Sequence, residues 1–230
     1  SELLGLFDYE CDVGRFNEVS ANLKKKIYEN CFSKEKGLIA ETPAKEIFSQ
    51  HTNIFAILTD AFPKDEQSRV AQKILEDKSL IQTTLYFKYY LFRALKKAGW
   101  GGKIIDLMDE WNTFLDYGFT TFPEHGIESR SDCHAWSAHP LIGFLTITCG
   151  IEPASPGFQT VEIKPQPGKL EKIAGSIPHP SGMISVNYKK NTESDWDCIV
   201  VLPKKLGGNF IFGDKTFKLE SGKNEFNLSE

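Results

Sequence analysis

Between positions 118 and 140 the chain runs GFTTFPEHGIESRSDCHAWSAHP, and its ionisable groups gather there. Glu124 can exchange a proton; Arg130 and Asp132 can orient charged or polar partners. His125, His134 and His139 can donate or accept hydrogen bonds, and Trp136 offers a flat apolar face. A carboxylate beside imidazoles and an indole suits general acid–base work on a polar, ring-shaped substrate. Loops that carry such groups between packed helices are common sites of binding and catalysis. An isolated glutamate on such a loop is far more often simply solvated, so spacing alone does not decide its role. Trp136 can equally wall a pocket or fill a core. The scattered histidines and the five cysteines (Cys11, Cys31, Cys133, Cys149, Cys198) match neither metal-ligand spacing nor a disulfide framework. The expectation is no metal, no cofactor and reduced, mostly buried thiols.

Helices must position this loop. Phe16, Val19, Leu23, Ile27 and Cys31 recur at three and four, with Lys24, Lys25, Lys26 and Glu29 largely off that stripe. This predicts an amphipathic helix of about 18 residues with a solvated lysine face. Residues 44–62 predict a second helix, apolar on more than one side and carrying His51 and Asn53. Those two polar residues suggest a structural hydrogen-bond network. Pro63 ends that helix, and Asp65 opens a third over residues 66–76. A heavily aromatic fourth covers 80–98 and stops at Gly99, Gly101 and Gly102. A fifth spans 103–117, and a mostly apolar sixth spans 132–149, distorted by Pro140. Short connections make consecutive antiparallel hairpins the natural arrangement.

At Gly150 the pattern changes. Pro153, Pro156, Gly157, Pro165, Pro167, Gly168, Pro178, Pro180 and Gly182 crowd into the next stretch. Alternating segments lie among and beyond them at 160–164, 182–188, 197–202, 209–212 and 216–219. They predict a small antiparallel β-domain over 151–230, after a helical domain over 1–150.

The chain has 230 residues, 40% hydrophobic and 25% charged, ordinary for a globular protein. A net charge of −4 leaves no electrostatic footprint for nucleic acid. No apolar run reaches the ~18 residues of a membrane span, so neither partner class is expected. The stretch SELLGLFDYECDVG shows no leader pattern. Periplasmic, extracellular and cytoplasmic locations all stay open.

Several spaced motifs together carry a resemblance. TTFPE is followed by SRSDCHAWSAHP and then by GIEPASPGFQTVEIKPQPG. Upstream stand SQHTNIFAIL, FPKDEQSRVAQKIL and FKYYLFRALKKAG. The set resembles the C-terminal part of bacterial α-L-rhamnosidases, glycoside hydrolase family 78. Members show T-T-x-x-E, S-R-S-D-x-H-x-W-x-x-x-P and G-I-x-P-x-x-P-G-F. The likeness runs through nearly the whole chain and is weakest at its ends.

The resemblance implies the second half of an (α/α)6 barrel, about six helices, followed by a C-terminal antiparallel β-sandwich. It implies removal of terminal α-L-rhamnose from glycosides or polysaccharides with inversion. Glu124 maps to the motif glutamate as general base, and His134 to a residue that hydrogen-bonds sugar hydroxyls. Trp136 maps to a pocket wall, and Arg130 and Asp132 to loop-orienting residues of the substrate site. Phe122-Pro123 replaces the family's usual Trp-Ala type of pair, so a proline fixes the backbone before Glu124. The family's general acid lies in an upstream acidic motif. No D-x-x-E-R-type run occurs here, and the acidic DYECD at residues 8–12 is not a substitute. The chain is therefore expected to be a fragment with the base half of the site, inactive alone. The wide apolar faces of its second and fourth helices would be open to homodimerisation. Two other readings stay open: a non-catalytic carbohydrate-binding or structural module, and another (α/α)6 sugar enzyme such as a glucuronyl hydrolase or glycoside phosphorylase.

Overall fold

The computed structural model describes residues 2–7, 9–192 and 194–229. The chain divides into two compact units, Ser1–Ala98 and Gly99–Glu230. Helix gives way to strand at Ile151, inside the second unit, and among the described residues no helix lies within Gly182–Leu202.

The first unit holds α1 (Glu2–Gly5), α2 (Glu10–Cys31), a two-residue hairpin β1 (Phe32–Ser33) and β2 (Leu38–Ile39), then α3 (Gln50–Leu58), α4 (Lys64–Glu76) and α5 (Leu85–Lys97). Two predicted helices are shorter than the sequence suggests, for one reason. The carbonyls of Ile47 and Phe48 accept from Glu41 N and Ile81 N, and Ile81 O accepts from Gln50 N. Backbone groups used in these contacts cannot also build helical turns, so α3 starts at Gln50 and α5 at Leu85. Ser49 caps α3, its Oγ accepting from Thr52 N at 3.1 Å. Glu41 accepts from the Ser49 and Thr52 hydroxyls.

The polar residues of α3 are structural. Asn53 is fully buried; its Oδ1 accepts from Ile39 N, and its Nδ2 donates to Ile39 O and Ser49 O. Gln50 donates to Ile74 O and accepts from Thr83 N and Oγ1. His51 packs on Phe87 at 4.4 Å, and burial pushes its pKa down. Of the acidic run at 8–12, Asp8 lies outside the described residues, whereas Glu10 and Asp12 sit in the first turn of α2. There they complement the helix dipole.

Apolar side chains are left open on the predicted second and fourth helices and also on the first. α3 and α5 cover much of each other, burying Ile54, Ile57, Leu91, Phe92 and Leu95, while Phe55, Tyr86 and Tyr89 stay partly exposed. A further half-exposed stripe is Phe16, Val19, Leu23 and Ile27 on α2, which has no buried residue. Its contacts within the unit are with α1, the β1–β2 hairpin and, at its C-terminal end through Tyr28, Phe62 and Glu66, too few to cover 22 residues of helix. Leu23→Glu should therefore change the stability of this chain by no more than about 0.5 kcal/mol. Ile57→Ala, at a fully buried position, should cost about 2–5 kcal/mol. Urea midpoints of the two variants check this; a large loss for Leu23→Glu would show that α2 has a partner.

In the second unit the predicted fifth helix splits into a 3-10 segment, Gly101–Met108, and α6, Asp109–Asp116. The predicted sixth is broken three ways: a 3-10 turn Ala135–Ala138, α7 (Pro140–Gly143) and a π-turn Phe144–Thr148. Pro140 has no N–H to donate and takes the first position of α7, so the two segments meet at His139.

Eight strands follow: β3 (Ile151–Pro153), β4 (Thr160–Ile163), β5 (Lys172–His179), β6 (Gly182–Lys190), β7 (Asp195–Leu202), β8 (Gly207–Phe212), β9 (Lys215–Leu219) and β10 (Gly222–Ser229). They form two four-stranded sheets, β10-β7-β6-β5 and β3-β4-β8-β9. Every pair is antiparallel except β4 with β8, a departure from the purely antiparallel expectation. Inward residues of both sheets share one core that includes Tyr188, Trp196, Val200, Val161, Ile163 and Phe210. Tyr188 stacks with Phe210 at 5.9 Å, and Phe210 meets Phe226 at 5.1 Å. Cys149 and Cys198 are buried, and burial raises both thiols, Cys198 to about 12. They are inert packing groups. Cys11 and Cys133 are exposed and Cys31 is intermediate, contrary to the expectation of mostly buried thiols.

Candidate active site

The loop that carries the chemistry is folded by its own backbone. α6 ends at Asp116 and is closed off by Gly118, at φ 77°, where Gly118 N donates to Leu115 O and Phe119 N to Phe114 O. Further on, Glu124 N donates to Ser131 O at 2.8 Å and His134 N to Phe122 O at 2.7 Å. These two bonds double the segment back on itself, and residues far apart in the motif string come together.

Ser137 locks the fold of this loop from beneath. It is fully buried; its hydroxyl donates to Pro123 O at 2.6 Å and lies 2.9 Å from His134 O, while its carbonyl accepts from Trp111 Nε1 at 2.8 Å. Trp136 Nε1 donates to the carbonyl of Glu124 at 2.7 Å. With Pro123 fixing φ before it, Glu124 is held from both sides of its backbone. Sequence reasoning missed Ser137. Its one signal was a small polar residue between Trp136 and the apolar segment that follows, which many surface serines share.

The Glu124 side chain is only 8% exposed. Arg130 reaches it with two bonds, Nη2 to Oε1 at 2.6 Å and Nε to Oε2 at 3.2 Å. His134 Nε2 lies 3.9 Å from Oε1, and the imidazole packs on the Trp136 ring at 4.5 Å. His134 Nδ1 is buried with no hydrogen-bond partner among the described residues, which favours the tautomer that leaves this nitrogen unprotonated. Trp136 remains 40% exposed, so it is not a core residue.

The Arg130 hydrogen bonds pull the Glu124 carboxyl below the ordinary glutamate range. Burial opposes this; the charges of Arg130, His134 and His125 add to it. A folded-state pKa below the unfolded one means the pair stabilises the fold at neutral pH. That contribution is present above the ordinary glutamate range and is lost as pH falls through the depressed value. At neutral pH the group is a carboxylate, the form a general base requires.

The structure thus brings Glu124, Arg130, His134 and Trp136 together. It does not bring in the Asp132 carboxylate, which is exposed with no partner among the described residues; only the Asp132 carbonyl is used, accepting from Thr121 Oγ1. Asp132 therefore does not orient the loop through its charge, because the backbone bonds flanking it already fix the turn. His139 packs edge-on against Trp111 at 5.3 Å, in the layer below. Beside the loop lies an apolar cavity of about 380 Å³ lined by Trp111, Phe114, Phe119, Phe122, Leu141 and Phe144. Glu124 is not among the residues that line it. Among the described residues no cluster of three or more His, Cys, Asp or Glu could hold a metal, and no helix is long and apolar enough to cross a membrane.

Residues 150–222 match the family described as the bacterial alpha-L-rhamnosidase C-terminal domain. No curated protein matches the sequence. Among solved structures, the alpha-L-rhamnosidase of Dictyoglumus thermophilum superposes with a TM-score of 0.82 at 19% identity, over 100% of this chain and 30% of that one. The Aspergillus terreus alpha-L-rhamnosidase gives 0.78 at 18% identity, over 99% and 28%. The Streptomyces avermitilis enzyme, complexed with L-rhamnose, gives 0.71 at 15% identity, over 94% and 24%. At these identities the likeness is one of fold, and the chain spans less than a third of each of the three.

Proposed function

We propose that this chain, which has a fold found within alpha-L-rhamnosidases and carries their bacterial C-terminal domain at residues 150–222, supplies the base half of an inverting glycosidase site. The substrate class is terminal α-L-rhamnose on a glycoside or polysaccharide. The helices to residue 150 would be the second half of an (α/α)6 barrel, and residues 151–230 a β-sandwich on it. The observation that carries the reading is Glu124: a carboxylate 8% exposed, kept ionised by Arg130, and flanked by His134 and the half-open Trp136.

Inverting hydrolysis uses two carboxyl groups roughly 6.5–9.5 Å apart, one protonating the leaving oxygen and the other activating water on the opposite face. Glu124 has the protonation state of the second. His134 Nε2, 3.9 Å from the Glu124 carboxylate, suits a sugar hydroxyl, and Trp136 a sugar face. Asp132, exposed on the turn, would contact substrate from the rim. No D-x-x-E-R-type acidic run, the kind that carries the family's general acid, occurs in this chain. The general acid is therefore assigned to a part of the enzyme outside this chain, and this chain alone is expected to be inactive. Two copies would pair through the exposed apolar faces of the helices.

The test is an aryl α-L-rhamnoside incubated with a protein that contains this chain and the acid-bearing part. Proton NMR should show β-L-rhamnose as the first-formed sugar. First appearance of the α-anomer would remove Glu124 as the base of an inverting reaction, and absence of rhamnose release would remove the substrate class.

A further inference from the structure

Arg130 and Glu124 form an unequal pair. The arginine side chain is 80% exposed, while the carboxylate it grips is 8% exposed. The guanidinium fork lies across both carboxylate oxygens, at 2.6 and 3.2 Å. It is the one side-chain donor to that carboxylate among the described residues. His134 Nε2 stands at 3.9 Å, beyond hydrogen-bond reach. His125 acts on it only through its charge. The fork is set by the same turn that sets the carboxylate: Ser131 O accepts from Glu124 N at 2.8 Å and from Ser129 Oγ at 3.0 Å, on either side of Arg130.

We propose that Arg130 is the positioning residue of Glu124, the group that fixes the rotamer of this buried carboxylate and meets both of its oxygens from the solvent side. The inference rests on the reading of Glu124 as the general base and adds what makes it one. A carboxylate taken out of water with no cation beside it tends to take up a proton. A protonated Glu124 could not accept one from water. Bidentate geometry matters as well as charge, because a planar fork fixes the carboxylate plane whereas a lysine ammonium offers a point contact. Being exposed, Arg130 can be replaced without opening a core cavity, so its variants should fold.

The experiment is a sugar-free titration of this chain with its glutamates carbon-13 labelled, following the Glu124 carboxyl by NMR in the wild type, Arg130→Lys and Arg130→Gln. Unchanged Tyr188 and Trp196 signals certify the fold of each. The expected order of midpoints is wild type lowest, Arg130→Lys intermediate and Arg130→Gln highest, with His125→Gln moving it less than Arg130→Gln does. Any other order overturns the assignment, as does a larger shift from His125→Gln. A merely structural arginine would alter melting without moving this titration. Because no substrate is present, the order stands or falls independently of whether the enzyme proves to be a rhamnosidase.

Discussion

In the complete enzyme, Glu124→Gln should lower kcat by about 10²–10⁴-fold with KM little changed. The amide keeps the shape of the side chain, and its oxygen can still accept one bond from Arg130. It cannot take the proton of an attacking water. The loss should therefore fall on the chemical step and leave substrate binding largely intact. Sequence reasoning would add that the melting temperature stays put, since no fold argument rests on an exposed loop glutamate. The structure corrects this. The carboxylate is 8% exposed and paired, so the Gln variant loses an ion pair and turns its amide NH₂ toward a guanidinium N–H. Stability should fall at neutral pH, modestly because Arg130 is exposed and screened. The difference from wild type should vanish as pH falls through the depressed Glu124 value, since below it the wild-type carboxyl is also neutral. Steady-state kinetics and melting curves across that range check both parts. Near-normal turnover would put the base elsewhere, and Asp132, with its carboxylate unpartnered and exposed, would not be its natural replacement.

How much of this was legible follows from which interactions are local. Helix existence was readable from three- and four-residue spacing, because a helix shows its period within its own residues. Helix ends were not. α3 and α5 begin late because Ile47, Phe48 and Ile81 use their carbonyls on partners more than thirty residues away or across a bend, which no window of sequence reveals. Of the strands, β4, β6, β7, β8 and β9 were readable, while β3, β5 and β10 were not. All three stand at sheet edges, as the readable β9 does, and an edge is where Pro178 in β5 is tolerated. The candidate residues were nameable from the motif. Their grouping was not: that Arg130 and not Asp132 turns inward depends on the register of the Glu124–Ser131 and His134–Phe122 bonds. The exposed stripe of α2 was read correctly as amphipathic, but its period cannot say whether a partner is present.

Gly150→Ala should be strongly damaging to the second unit. Gly150 stands where the π-turn ends and β3 begins, at φ 77°. That left-handed backbone alone costs a non-glycine residue roughly 1–2 kcal/mol. The space is also taken: a Cβ there would fall 2.2 Å from Lys164 C and 2.3 Å from Pro165 N, both backbone atoms. The chain cannot give locally, because Lys164 N donates to Gly150 O at 2.9 Å and Ile151 pairs with Ile163 in the sheet. Next door, the carbonyl of Cys149 accepts from the buried Tyr188 hydroxyl at 3.0 Å. Displacing Gly150 would thus disturb the edge of one sheet and the core shared by both, so an overpacking cost of about 1–3 kcal/mol adds to the conformational one. Against the 5–15 kcal/mol typical of a whole domain, such a loss should be visible as a large drop in the urea midpoint and as poor yield. Gly213→Ala separates the two contributions. Gly213 has φ 57° with nothing within 4 Å of its Cβ position, so it bears the backbone cost alone. The Gly150 variant should lose clearly more stability than the Gly213 variant. Equal losses in the two would mean that the close approach of residues 150 and 164 is relieved at no cost, and that the link between the helical segment and β3 is looser than its contacts imply.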